Sequence, residues 1–211
     1  MKKFNKLIIA CDGESASGKS TAAKLISKKY NLLLINSGLL YRYGSNLIIK
    51  HKPKKPISFL NKKFNNVSYK LISKQNLHSE IISNHVALLA KNKKVREIIK
   101  RFKRKIIKNN KKICVEGRDI ANKILSKDPK YDLAFYFKCN LATASFRRWL
   151  DIKKKVSLKD VKKSLSKRTQ MDKKRKNSPL TKVKDAILIR TDKLNKKQVL
   201  AKMEKYIEKI N

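Results

Sequence analysis

Short runs of apolar residues alternate along the chain with longer segments in which apolar residues recur at helical spacing. Five such runs predict buried strands, because each is brief and bounded by polar residues: 7–11, 32–35, 113–115, 133–137 and 186–189. The segments between and after them predict helices at 21–29, 39–50, 79–90, 95–108, 119–126, 142–153, 158–168 and 196–209. This alternation is typical of an α/β fold with a five-stranded parallel sheet flanked by helices.

Two segments interrupt the alternation between the second and third predicted strands. The lysine- and proline-rich stretch 52–56 indicates a connection, and the β-forming residues of 64–73 predict a small hairpin. In parallel α/β sheets, ligands bind at the carboxyl ends of the strands. Residues that follow a predicted strand are therefore the first candidates for a functional site.

Composition narrows the class of protein. The 211 residues suit one domain, and 41% hydrophobic residues supply a core despite 34% charged residues, which argues against disorder. No apolar run approaches the roughly 20 residues of a membrane helix, and the first one ends at Asp12, too early for a secretory leader. Cys11, Cys114 and Cys139 lack metal-site spacing and predict buried thiols in a reducing compartment. We expect a cytoplasmic, monomeric protein without a membrane partner.

The net charge of +41 raises the alternative of a nucleic-acid-binding protein, because polybasic surfaces bind phosphate backbones. The 46 lysines, against only 10 arginines, are spread along the whole chain and form no discrete basic tail. We therefore favour a solvated lysine-rich surface and expect no specific nucleic-acid partner.

The most informative motif is the run GESASGKS at 13–20, which we call the phosphate loop. It has the pattern G-x-x-x-x-G-K-S, and it lies between the first predicted strand and the first predicted helix. Loop amides and a helix N-terminus together hold a di- or triphosphate, with Lys19 reaching the β- and γ-phosphates and Ser20 ligating Mg²⁺. The predicted nucleotide-binding residues are Gly13, Glu14, Ser15, Ala16, Ser17, Gly18, Lys19, Ser20 and Thr21.

Scarce residues collect at two further predicted strand ends. Gly38 and Arg42 follow the second strand, and Gly117 and Arg118 follow the third. In a chain that prefers lysine so strongly, arginine indicates a need for its planar fork, which binds phosphate or carboxylate through two hydrogen bonds. Later in the chain, Asp172 lies between two further arginines in a predicted basic loop. The remaining candidates among the scarce charged residues are Arg96, Asp119, Arg168, Asp172 and Arg175.

Five stretches together resemble the bacterial cytidylate kinases of the nucleoside monophosphate kinase group. They are DGESASGKST at 12–21, NSGLLYR at 36–42, KKVRE at 93–97, EGRDI at 116–120 and KRTQMDKKRKNSPL at 167–180. Their order and spacing match over nearly the whole chain. The resemblance implies a kinase that binds ATP at residues 13–21 and, with Mg²⁺, transfers the γ-phosphoryl group to CMP or dCMP.

The resemblance also implies roles for individual residues. Ser37, Arg42, Arg118 and Arg175 would hold the monophosphate, and Tyr41 belongs to the same site. Arg96 and Asp119 would contact the cytosine edge, Arg168 the nucleotide, and Asp172 the ribose hydroxyls. The implied catalytic set is Lys19, Arg118, Arg168 and Arg175. A single kinase domain over 1–211 would contain a short monophosphate-binding insert at 43–78 and a helical lid at 150–176.

Several positions depart from the family's pattern. Glu14 stands where the family usually has proline, and Ala16 where it usually has glycine. Ala87 replaces a serine near the base, and His78 replaces an arginine, so base selectivity stays open. Glu116, where the family commonly has aspartate, is a candidate to hold water on Mg²⁺. The alternatives are a phosphate-loop kinase for another nucleoside monophosphate or for a small acceptor such as shikimate.

Overall fold

The computed structural model describes residues 3–210, so residues 1, 2 and 211 of the predicted domain lie outside the described residues. Five parallel strands form one sheet in the order β2-β3-β1-β4-β5, which confirms the predicted α/β class. The strands are β1 (Leu7–Gly13), β2 (Leu33–Asn36), β3 (Lys112–Gly117), β4 (Leu133–Lys138) and β5 (Ile187–Arg190).

Nine α-helices are present in the part of the chain that the structure describes. They are α1 (Lys19–Lys29), α2 (Ser37–His51), α3 (Pro56–Asn65), α4 (Tyr69–Ser73), α5 (Glu80–Leu89), α6 (Lys93–Lys108), α7 (Leu141–Asp151), α8 (Leu158–Lys173) and α9 (Lys196–Ile207). The predicted helix after β3 is a single π-helical turn, Ile120–Ile124, in which the Leu125 N–H donates to the Ile120 carbonyl at 2.8 Å.

The hairpin predicted at 64–73 is wrong, because this segment contains the end of α3 and all of α4. Pro56 begins α3 rather than a connection, since proline suits the first turn of a helix. The Ser68 hydroxyl caps α4 by accepting the Leu71 N–H. Short apolar runs such as this one fit strand and helix patterns equally well, and here Phe64 and Ile72 are buried on the two helices.

Helix α8 extends five residues beyond its predicted end at 168. Arg168 and Asp172 therefore lie on a helix, and the prediction that Asp172 lies in the basic loop is wrong, because that loop begins only after Lys173. No glycine or proline interrupts residues 168–173, so nothing in the local sequence stops the helix. The boundaries of the predicted lid, 150–176, and insert, 43–78, stay predictions.

The chain divides into two compact units. The sheet unit comprises the residues up to Ile35 and those from Lys111 onward. Its core joins Ile9 of β1 and Phe135 of β4 to Ile26 of α1 and Met203 of α9. The three cysteines are buried free thiols, as predicted. Burial of β1 over its whole length fixes the strand from which the phosphate loop departs.

The helical unit spans Asn36–Asn110 and contains α2 to α6. Phe64 lies at its centre, with ring contacts to Tyr43 at 5.4 Å and to Phe102 at 5.3 Å between centroids. This unit carries nineteen lysines and arginines against two glutamates, so its excess charge has little internal compensation. Over residues 3–210, no helix is both long enough and apolar enough to cross a bilayer.

Candidate active site

The backbone of the phosphate loop is shaped by three small residues. β1 ends at Gly13, where an added Cβ would lie 2.4 Å from the Phe137 carbonyl oxygen. Ala16 and Gly18 both adopt left-handed conformations, with φ of 55° and 77°. α1 then begins at Lys19, so the loop ends at a helix N-terminus. Loop amides and the positive end of the helix dipole form a site for phosphate groups.

The neighbouring strands hold the loop in place. The Glu14 N–H donates to the Phe137 carbonyl at 3.1 Å, at the end of β4. After β5, the Thr191 hydroxyl donates to the Ser17 carbonyl at 3.0 Å. Thr191 is a buried supporting residue that the sequence analysis missed, because only the sheet order brings it to the loop.

Lys19 forms a buried ion pair with Glu116, the penultimate residue of β3, at 3.0 Å. Burial lowers the pKa of Lys19, and the adjacent Glu116 carboxylate partly opposes this change. Burial alone would raise the pKa of Glu116, but Lys19 and a hydrogen bond with Ser20 outweigh it, so that pKa is lowered. The Glu116 carboxylate is therefore ionised near neutral pH, and the ion pair holds Lys19 at the loop before any nucleotide binds.

The side chains near Lys19 fit a magnesium ion. Ser20 offers a hydroxyl and Glu116 a carboxylate, and the Ser20 hydroxyl is close enough to help lower the pKa of Glu116. Mg²⁺ prefers oxygen ligands and usually needs only one or two from the protein, taking the rest from water and substrate phosphates. The described residues contain no group of three or more acidic, histidine or cysteine side chains that could hold a metal ion.

Asp12 links the phosphate loop to the segment after β3. Its two carboxylate oxygens accept the N–H groups of Ile120 at 2.9 Å and Ala121 at 2.8 Å. Burial raises the pKa of Asp12 to about 6, although both hydrogen bonds oppose the rise. The sequence analysis did not assign this role to Asp12; the available signal was an acidic residue at the end of an apolar strand. Asp12 thereby positions the turn that follows Arg118 and Asp119.

Three predicted site residues meet in one cluster in the sheet unit. Arg118 donates through Nε to Asp172 at 2.9 Å, and Arg175 lies 3.6 Å from the other carboxylate oxygen. Asp119 is buried beside Arg118 in the chain. Arg168 lies one helical turn before Asp172, on the same face of α8. The cluster thus joins the end of β3 to the end of α8, with two guanidinium groups sharing one carboxylate.

The other predicted residues belong to the helical unit. Arg42 of α2 donates through Nη1 to the Leu77 carbonyl at 3.1 Å and to the Ser83 hydroxyl at 2.8 Å. Ser37 begins α2, and its buried hydroxyl has no hydrogen-bonding partner in the described chain. Tyr41 lies one turn after Ser37 on the same helix. These residues provide a hydroxyl and a guanidinium along α2.

Arg96 lies in the first turn of α6, where its Nη1 donates to the Ala90 carbonyl at 3.5 Å. Two residues that depart from the family's sequence pattern lie on neighbouring segments. Ala87 is on α5, and His78 lies just before that helix. The sequence analysis missed Ser83, which orients Arg42 from α5. Only the packing of α5 against α2 reveals that contact, because 41 residues separate the two side chains.

A phosphate loop between β1 and α1 of a parallel sheet, with Arg118 directly after β3, is the arrangement found in phosphate-loop kinases. The family model for cytidylate kinase matches residues 9–209. The chain therefore belongs to the cytidylate kinase family and is a nucleoside monophosphate kinase.

Curated relatives support the family over nearly the full length. A cytidylate kinase of Mesomycoplasma hyopneumoniae (strain 7448) is 30% identical, over 97% of this chain and 94% of the relative. A cytidylate kinase of Clostridium botulinum (strain Okra / Type B1) is 32% identical, over 95% of this chain and 97% of the relative.

Solved structures agree with the fold. An uncharacterised protein from Eubacterium ventriosum superposes with a TM-score of 0.62 at 19% identity, covering 98% of this chain and all of the other. A shikimate kinase from Bacteroides thetaiotaomicron superposes with a TM-score of 0.51 at 9% identity, covering 96% and 98%. At these identities the likeness concerns the fold alone.

Proposed function

We propose that the protein transfers the γ-phosphoryl group of ATP to CMP or dCMP, giving ADP and CDP or dCDP. The observation that carries this proposal is the arginine–aspartate cluster of Arg118, Asp172 and Arg175, in the same unit as the phosphate loop. The cluster combines cations for phosphate groups with a carboxylate able to accept hydrogen bonds from sugar hydroxyls. The cytidylate kinase names of the relatives support the same substrate.

On the donor side, the chain's own residues bind and orient ATP. Lys19 leaves Glu116 for the β- and γ-phosphates, and the loop amides hold the remaining phosphate oxygens. Ser20 and Glu116 would hold Mg²⁺, which when bound neutralises phosphate charge. Phosphoryl transfer needs little covalent help from a protein, so positioning and charge neutralisation by Lys19 and the arginines supply the catalysis.

On the acceptor side, Arg118 and Arg175 leave Asp172 and bind the monophosphate. The Asp172 carboxylate is then free to accept hydrogen bonds from the ribose hydroxyls. Within the helical unit, the resemblance assigns Arg42, Ser37 and Tyr41 of α2 to phosphate binding. The unpartnered, buried Ser37 hydroxyl supports this role, because a buried hydroxyl without a partner is costly until a ligand supplies one. Arg96 and Asp119 are assigned to the cytosine edge, and Arg168 to the nucleotide.

The assignment of a nucleotide rather than a small acceptor rests on Asp172 and Arg96. A small acceptor such as shikimate has no ribose or base for these two residues to contact. The remaining alternative is another nucleoside monophosphate, since Ala87 and His78 depart from the family's pattern near the base.

A coupled ADP-release assay with ATP and Mg²⁺ tests the proposal across CMP, dCMP, UMP, AMP, GMP and shikimate. We expect the highest kcat/KM with CMP or dCMP. Absence of turnover with both cytidine nucleotides would refute the proposal, and a preference for UMP, AMP or GMP would establish the alternative.

The Lys19→Ala variant supplies the matched negative control. We expect it to lose at least about a hundredfold in kcat, because Lys19 contacts the transferred charge directly. Circular dichroism checks that the variant is folded, since the substitution leaves Glu116 buried without its cation. Near-normal turnover in a folded Lys19→Ala variant would exclude the phosphate loop as the ATP site.

A further inference from the structure

Glu14 places a carboxylate within the loop that binds phosphate groups. Its backbone is fixed at two points, because its N–H donates to Phe137 at 3.1 Å and its carbonyl accepts the Ser17 hydroxyl at 2.9 Å. Its side chain is only 11% exposed. The loop therefore cannot easily turn this negative charge away from a bound nucleotide.

Lys173 compensates for that charge. It is the last residue of α8, and its Nζ lies 2.7 Å from Glu14 Oε1. The contact joins two segments of the sheet unit that are separated by more than 150 residues in the chain. Among the ion pairs of the described residues, it is the one that engages a side chain of the phosphate loop other than Lys19.

We propose that Lys173 strengthens ATP binding by acting through Glu14 rather than on the nucleotide itself. An unpaired Glu14 carboxylate would repel the polyphosphate, and the ion pair cancels that repulsion. The role is specific to this chain's combination of Glu14 and Lys173, since an uncharged residue at position 14 would need no such compensation. The proposal rests on the proposed function only in taking ATP as the donor.

A double-mutant cycle tests this dependence by measuring the Kd for ATP in the presence of Mg²⁺ by calorimetry, without acceptor. We expect K173M to weaken ATP binding about fivefold, the scale of a partly exposed ion pair. E14Q should bind ATP at least as tightly as the wild type, because the repulsive charge is gone. The variant carrying both substitutions should lie within about twofold of the wild type, because neither charge is left unpaired.

Two further variants sharpen the result. K173R retains the ion pair and should keep the wild-type Kd. K174M removes a lysine from the adjacent, exposed position and serves as the matched control, with a Kd within about twofold of the wild type. If K174M weakens ATP binding as much as K173M does, the effect comes from the general positive charge of this segment and not from the ion pair with Glu14.

The cycle can overturn the proposal in two ways. If K173M weakens binding equally in the E14Q background, Lys173 acts on the nucleotide directly. If K173M leaves the Kd unchanged, the ion pair has no role in ATP binding. Because no acceptor is present, a wild type that binds ATP but fails to phosphorylate cytidine nucleotides would refute the proposed function and leave this test intact.

Discussion

Three residues of the phosphate loop require a small side chain for different physical reasons. Gly13 has no room for a Cβ, because it would collide with the Phe137 carbonyl oxygen at 2.4 Å. Gly18 has room, with the nearest atom 3.9 Å away, but its φ of 77° disfavours any other residue. Ala16 has a φ of 55° and retains its Cβ, at a cost of roughly 1–2 kcal/mol.

We predict that Ala16→Gly leaves the free energy of unfolding unchanged or raises it by up to about 1 kcal/mol. Glycine relieves the left-handed strain, while its freedom in the unfolded chain returns about 0.5–1 kcal/mol. Ala201→Gly makes the same substitution at an exposed position within α9 and should cost about 1 kcal/mol. Urea unfolding of both variants measures the difference, and equal losses would show that the conformation of Ala16 carries no strain.

At the scale of secondary-structure elements, α5 orients a guanidinium group of α2. The Ser83 hydroxyl accepts from Arg42 at 2.8 Å and donates to the Ser79 carbonyl at 2.8 Å. Ser79 is the N-cap of α5, so the helix start and the arginine share one hydrogen-bonded chain. A second contact, from Arg42 to the Leu77 carbonyl, fixes the same Nη1 atom.

We predict that Ser83→Ala raises the KM for CMP about fivefold, equivalent to roughly 1 kcal/mol for one hydrogen bond. The KM for ATP should stay within about twofold, since Arg42 is assigned to the acceptor. Ser73→Ala is the matched control, because its hydroxyl bonds only to Lys70 at an exposed site. Steady-state kinetics with each substrate varied in turn measures the two KM values. Equal changes in both would contradict an acceptor-specific role for Ser83.

Helices and strands were predictable wherever the spacing of apolar residues followed one clear pattern. The amphipathic pattern of 95–108 predicted α6, and the five apolar runs predicted the five strands. The errors arose where local signals were short or absent. The apolar residues of segment 64–73 fit the spacing of a strand and of a helix equally well. Helix α8 continues past residue 168 because no local residue stops it, and its last turn contains Asp172.

At the scale of the whole molecule, folding places charges of both signs in the interior of a strongly basic chain. Lys19 and Glu116 are buried as an ion pair, whereas the buried Asp12 carboxylate accepts hydrogen bonds from two backbone N–H groups. Folding raises the pKa of Asp12 from its ordinary value of 3.8 to about 6. The folded protein therefore binds this proton more tightly than the unfolded chain does.

The stability that Asp12 contributes is consequently full below pH 3.8 and is lost as the pH rises through about 6. We predict that lowering the pH from 7 to 5 stabilises the wild type relative to Asp12→Asn by about 1 kcal/mol. Denaturant unfolding of both proteins at each pH measures this change. The exposed Asp151→Asn variant should show no comparable change, and a pH-independent difference for Asp12→Asn would mean that Asp12 does not titrate in this range.

The sequence by itself determined the fold class and the phosphate loop, and it predicted Lys19, Arg118 and Asp172 as residues of a site. These features depend on local period and motif spacing, which neighbouring residues encode. The tertiary structure decided which side chains meet. The contacts of Arg118 with Asp172, of Lys19 with Glu116 and of Lys173 with Glu14 each cross more than 50 residues of sequence. They exist because the sheet order and the packing of α8 bring distant strand and helix ends together, and no local pattern records that arrangement.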